Sequence, residues 1–173
     1  MAEVKQKKPK HYINNKTLLE EMIKYKQAIA DAEANGTSKP RISRYIGESL
    51  MMICNKLSNK FNFINYTYKD EMIADGIENC IAAVDNFDPS KSNNPFAYFT
   101  QIAWNAFVRR IQKEKKQTYI KHKNFEMSGI INELMEENAL ANKHNEYSSD
   151  IIKGFEDKLT EKKKKANPDE ESS

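Results

Sequence analysis

Aromatic and cationic side chains crowd into one short stretch of this chain, where Phe96, Tyr98, Phe99, Trp104 and Phe107 run directly into Arg109 and Arg110. Flat rings that can stack on bases, beside cations that can hold phosphates, are what nucleic-acid binding requires. Upstream, Ile73, Ile77, Ile81 and Val84 recur at i, i+4, i+8 and i+11, the spacing of an apolar helix stripe, while Glu71, Asp75 and Glu78 fall on a separate face. An acidic face of that kind suits a cationic protein surface. Acid on one segment and base on the next point to two different partners.

The residue types that carry catalysis are poorly arranged for it. Cys54 and Cys80 are distant in sequence and read as buried free thiols. His11, His122 and His144 are scattered, with no cysteine or carboxylate partner at metal-ligand spacing. There is no phosphate-cradling glycine loop, nucleophile elbow or HExxH sequence. The carboxylates lie on polar helix faces rather than among apolar residues that would perturb them. The expectation is a binding protein rather than an enzyme, with no metal and no cofactor.

Charge sharpens the two-partner reading. The formal net charge is only +3, yet Arg109 to Lys123 holds seven Lys or Arg against Glu114 alone. Glu126 to Glu161 holds nine acids against Lys143, Lys153 and Lys158, and the six acids from Asp70 to Asp88 have no Lys or Arg among them. A basic block attracts phosphate whatever its sequence, whereas an acidic block suits a basic protein or simple solvation.

The elements that must position these residues are helical. Five Gly, five Pro and few alternating apolar runs leave little material for a sheet. Residues 1–13 read as a disordered basic N-terminus without the apolar core of a secretion signal. A first helix is expected from about Lys16 to Ala34, after Asn14-Asn15 and before Asn35-Gly36, with Leu19, Met22, Ile23 and Ile29 inward. A second, about Ile42 to Lys60, aligns Ile46, Leu50, Ile53 and Leu57 and runs into a packing corner at Phe61-Asn62-Phe63. The third and fourth are the acidic and aromatic segments, joined by Phe87-Asp88-Pro89. Asn94 and Pro95 open the fourth as N-cap and first helical residue. Together, residues 14–123 form the expected helical domain. Residues 124–161 form an acidic C-terminal segment with two further helices, marked by Ile130, Ile131, Leu134 and Met135, and by Ile151, Ile152, Phe155 and Leu159. Residues 162–173 read as a disordered tail. No apolar run approaches the roughly 20 residues that span a bilayer, so no membrane partner is expected.

In order and without a gap, Glu71-Met72-Ile73, Asp75-Gly76, Ala83-Val84, Phe87-Asp88-Pro89, Tyr98, Thr100, Ala106, Arg109 and Ile111 resemble the second conserved region of bacterial sigma factors. HYINNKTLLEEMIKYK and KLSNKFNFINYTYKDEMIADGIE are similar, more narrowly, to the late-transcription sigma factors of T-even-type bacteriophages. That resemblance covers roughly residues 10 to 123. It implies a compact all-α domain that docks on bacterial RNA polymerase core and melts promoter DNA, in the cytoplasm of a bacterial host.

The resemblance also assigns residues. Glu71, Ala74, Asp75 and Ile77, with Glu78 beside them, match positions that dock on the coiled coil of the polymerase's largest subunit. Gln101, Asn105, Val108, Arg109 and Gln112 share one face of the fourth helix, which in the family lies along the upstream edge of the minus-ten element. Asn105 and Val108 fall where the last duplex base pair is read, and Tyr98 where a ring stacks beside a flipped adenine. Arg109 and Arg110 can hold phosphates, with Lys113 following. Gln101 and Ile102 stand where primary sigma factors carry two adjacent tryptophans that wedge the fork, so either Trp104 or Phe99 substitutes as the wedge, or melting is weaker and needs help. Nothing after Lys123 resembles the module that reads an upstream promoter element. Phage late sigma factors of this design gain promoter strength from a co-activator and a sliding clamp, which are candidate partners here, with Ile151, Ile152, Phe155 and Leu159 as an internal tether. Two other readings remain: an anti-sigma-like or polymerase-remodelling adaptor, and a helical DNA-binding protein with no polymerase partner.

Overall fold

In the computed structural model, which describes residues 12–127 and 139–166, the first helix begins where an asparagine can replace missing helical acceptors. Asn14 caps α1 (Asn15–Ala34), its side chain accepting from the amides of Lys16 at 3.0 Å and Thr17 at 3.4 Å. The helix ends in a left-handed Gly36 at φ +64, with the Gly36 amide donating to Glu33 and the Thr37 amide to Ala32, a Schellman closure. Ser43 starts α2 (Arg44–Ser58) by accepting from the Ile46 amide at 3.3 Å. That cap places the start of α2 two residues later than the sequence predicts.

An aromatic turn leads into α3 (Lys69–Ala82), with Asp70 and Glu71 in its first turn, where negative charge complements the helix dipole. A single 3-10 turn, Val84–Asn86, follows. Asn94 then caps α4 (Pro95–Met127), accepting from the Ala97 amide at 3.0 Å with Pro95 in the first helical position, as expected. The last helix, α5, runs Ala139–Ala166. Among the described residues the architecture is all-α, with no strand.

The chain divides into two compact units that meet between Arg110 and Ile111, inside α4. In the first, Ile46, Leu50, Ile53 and Leu57 are buried along α2, the stripe the sequence predicts. The stripe of α3 differs by one register position, whereas in α1 the expected Met22 is fully buried and the expected Leu19 and Ile29 are half-buried. In α1 the inward residues are Leu18, Met22 and Tyr25, while Ile23 is 48% exposed. The paired leucines at 18 and 19 offer either stripe. Tyr25 joins the core because its hydroxyl finds Asp85 Oδ1 at 3.3 Å. In α3 the buried line is Met72, Gly76, Cys80, continued by Val84, rather than Ile73, Ile77 and Ile81. Small residues win there because α4 approaches closely: a Cβ on Gly76 would lie 2.6 Å from Phe107 Cε1 and 3.1 Å from Cys54 Sγ. Cys54 and Cys80 are both free and buried, as expected, and their thiols are hydrogen-bonded neighbours. Each large side chain buried in this core contributes about 1.5–3 kcal/mol of transfer free energy.

Asp85 fastens the 3-10 turn to the N-terminal part of the unit. Its carboxylate accepts from Lys39 and Tyr25, and its carbonyl accepts from Lys26.

In the second unit, the end of α4 and α5 run antiparallel. Tyr119 stacks on Phe155 at 4.5 Å and donates to Glu156 Oε1 at 3.0 Å. His122 Nδ1 and Ser148 Oγ are 2.6 Å apart, with Ser148 buried. Ile152 is buried and Phe155 is held by Tyr119, so half of the expected tether set is spent on internal packing. α4 continues past Lys123 to Met127, and α5 continues through Lys162–Lys165 to Ala166, beyond the point where the sequence predicts a tail. The helix expected at Ile130 to Met135 lies outside the described residues, as do residues 1–11 and 167–173.

Candidate nucleic-acid and protein interfaces

Helix α4 turns Phe99, Ala103, Ala106 and Phe107 into the core, so its opposite side must face outward. Gln101 and Asn105 are exposed on that side and Val108 is half-buried. Gln101 Nε2 donates to Asn105 Oδ1 at 3.0 Å, which leaves the Asn105 amide hydrogens pointing to solvent as a ready pair of donors. Gln112 and Lys113 are exposed beyond the unit boundary.

The aromatic residues of α4 divide by burial. Phe99 is fully buried, so of the two candidate wedges it is removed from contention. Trp104 is half-buried, its ring edge-on to Phe63 at 4.7 Å. Tyr98 is also half-buried, wedged edge-on to Phe87 at 5.3 Å and Phe99 at 5.1 Å, with its hydroxyl donating to the Ala83 carbonyl at 3.4 Å. That bond fixes the ring angle. Ile102 is half-buried.

The two arginines do not extend freely into solvent. Arg110 forms a two-pronged pair with Asp75, Nε to Oδ2 at 2.6 Å and Nη2 to Oδ1 at 2.7 Å. Arg109 is exposed, yet its Nη2 donates to Asn79 Oδ1 at 2.6 Å. Asp75 and Asn79 lie one turn apart on α3, so acid and base that are segregated in sequence meet side by side in space. No motif in the sequence singles out Asn79. Its position at i+4 from Asp75 is the available signal.

With Asp75 turned toward α4, the solvent side of α3 presents Glu71, Ala74 and Glu78, all exposed, with Ile77 half-buried at its edge. Ile81, 47% exposed, adds an apolar element to that surface. The angle between the two helices passes through Phe87-Asp88-Pro89. Phe87 is buried, and Asp88 Oδ1 accepts from the Ser90 hydroxyl at 2.7 Å and the Ser90 amide at 2.9 Å. Those bonds, with Lys91 alongside, hold the Asp88 carboxyl below the usual carboxylate range.

The segment that carries the α4 surface, the α3 face and the corner between them also matches a known family in sequence. Residues 60–117 match the family model for Sigma-70 region 2. The Sigma-70 region 2 match begins in the turn before α3, takes in the whole corner, and ends beyond Lys116 in α4. It spans well under half of the chain. A comparison with curated proteins finds no match. Among the described residues no cluster of His, Cys, Asp or Glu could hold a metal ion, and no helix is long and apolar enough to cross a membrane.

Proposed function

We propose that this chain is a sigma factor. The exposed side of α3, carrying Glu71, Ala74 and Glu78 with Ile77 and Asp75 at its edges, docks on the coiled coil of the largest subunit of bacterial RNA polymerase core. The outward side of α4 engages an A/T-rich minus-ten-type element of phage late promoters. Gln101 and Asn105 meet base edges, Val108 packs against a sugar or base, and Tyr98 receives an extruded base. Trp104 with Ile102 supports the fork. Arg109, Arg110, Gln112 and Lys113 lie toward the phosphates. The observation that carries this reading is the coincidence of the Sigma-70 region 2 match with the α3–corner–α4 geometry. The narrower assignment to late transcription rests on the resemblance of HYINNKTLLEEMIKYK and the turn before α3 to phage late sigma factors, and a sliding clamp and a co-activator belong to that narrower reading.

Opening a duplex without ATP requires each lost stacking step to be offset by contacts to the freed strand. Stacking on a ring supplies about 1–3 kcal/mol per base, comparable with a weak A·T step. The half-buried Tyr98 and Trp104 meet that requirement because their orientations are already set, so little side-chain entropy is lost on binding.

One observation favours a second reading. Arg109 and Arg110 are both bonded to α3, which suits a polymerase-binding adaptor that leaves promoter phosphates to other proteins. Reconstitution separates the two. The chain is combined with bacterial core polymerase on a duplex containing an A/T-rich minus-ten-like site, and opened thymines are detected with permanganate. A sigma factor gives reactive thymines that depend on the chain, and an adaptor gives core binding without them. Absence of core binding defeats both.

A further inference from the structure

The turn between α2 and α3 holds its aromatic residues in opposite ways. Phe63 is buried edge-on to Trp104 at 4.7 Å and Phe107 at 5.2 Å. Phe61, two residues earlier, is 88% exposed, the most exposed large apolar side chain among the described residues. The turn is not slack: the Phe63 amide donates to the Lys60 carbonyl at 2.8 Å and the Ile64 amide to the same carbonyl at 3.0 Å. Phe61 and Ile64, three apart in that turn, are both exposed, Ile64 at 47%. A ring and a branched aliphatic displayed on a braced turn leave apolar surface in water that a ligand would cover.

The surroundings define that ligand. From Ser49 to Lys69 there is no carboxylate, and Lys56 and Lys60 are exposed beside the turn; acids resume only at Asp70 in the first turn of α3. Cations flanking an exposed ring, without carboxylates between them, fit a polyanion whose own faces are aromatic. The turn is also continuous with α4, because Phe63 beneath it touches Trp104 on the flank of the Gln101–Asn105 surface. We infer that Phe61 and Ile64 form a stacking platform for single-stranded DNA, extending the α4 surface past Trp104, with Lys56 and Lys60 holding the strand's phosphates. The inference rests on the reading of α4 as a DNA surface.

The chain carries a single tryptophan, so emission from Trp104 reports on this neighbourhood directly. Oligothymidylate of about 12 nucleotides, within the span of one such platform, is titrated into the full chain alone, and a duplex of equal length serves as comparison. The single strand should quench Trp104 and bind more tightly than the duplex. Phe61→Ala should weaken single-strand binding about ten-fold, the loss of one stacked base, and leave duplex affinity and thermal melting unchanged. Phe61→Trp should restore binding. Unchanged single-strand affinity in F61A overturns the inference, as does absence of single-strand binding by the unmodified chain. Loss of core-polymerase binding in F61A with single-strand affinity intact also overturns it, and identifies a protein partner instead. Promoter opening that proceeds normally in F61A would leave the sigma reading standing while this inference fails. Phe61-dependent strand binding by a chain that never engages core would do the reverse.

Discussion

Arg110 and Asp75 close a two-pronged bridge between α4 and α3, with both of its N–O distances under 3 Å and both side chains mostly shielded from water. The bridge joins the two surfaces to which polymerase and promoter roles are proposed, so neither residue belongs to one surface alone. Charge reversal at Asp75 would therefore perturb packing as well as any docking. Asp75→Asn should destabilise the fold by about 1–3 kcal/mol, since it replaces a charged two-pronged acceptor of the shielded Arg110 guanidinium with a neutral amide. The double variant D75N/R110Q should cost less than the sum of the single changes, as chemical denaturation of all four forms would reveal.

Glu71 and Glu78 are the cleaner test of docking because both are exposed and neither is tied to α4. The variant E71K/E78K should lose binding to core polymerase in a pull-down while its melting temperature and nonspecific DNA binding stay close to those of the unmodified chain. Retained core binding would reduce this face to a solvated surface.

Gly76 should tolerate no side chain. A Cβ there meets the Phe107 ring at 2.6 Å, and Phe107 is fully buried and in contact with Phe63. Gly76→Ala should destabilise by about 1–3 kcal/mol through overpacking, despite the higher helix propensity of alanine. A more stable variant in urea unfolding would disprove this close approach.

Alkaline pH should weaken the fold through the Cys80 thiol. The hydrogen bond with Cys54, together with burial, pushes the Cys80 thiol up from its ordinary value. In the unfolded chain a thiol loses its proton near about pH 8.5, whereas the folded Cys80 keeps it. Above that pH the unfolded state binds fewer protons, so stability that is fully present at neutral pH declines as pH rises. Cys80→Ala should flatten this decline in urea melts recorded on either side of that pH; equal slopes in the two proteins would refute it.

Caps and breakers were the most legible features in the sequence because they act locally. Asn14, Gly36 and Asn94 each sit where the sequence predicts a helix boundary. The α2 stripe was legible for a similar reason, since it offers only one continuous apolar line. In α1 and α3 two lines compete, and the choice depends on contacts made elsewhere in the chain: Asp85 for Tyr25, and Phe107 for Gly76. Periodicity favours the bulkier isoleucines of α3, but close helix packing favours the smaller line beside them. For the candidate site, the outward position of Gln101 and Asn105 follows from the pattern of buried residues on α4. The attachment of Arg109 and Arg110 to α3 does not, because a pairing between residues about thirty positions apart leaves no local signature.

The side chain of Asn15 has a role that its sequence position conceals. It accepts from the Phe96 amide at 3.1 Å and donates to the Asn93 carbonyl at 3.3 Å, while Tyr12 lies edge-on to Phe96 at 5.7 Å. The opening turn of α4 is thus anchored by residues about eighty positions upstream. Evolutionary and mechanical boundaries differ here: residues 60–117 carry the family pattern, but a fragment cut to that length would lack the strut that holds α4 at its start.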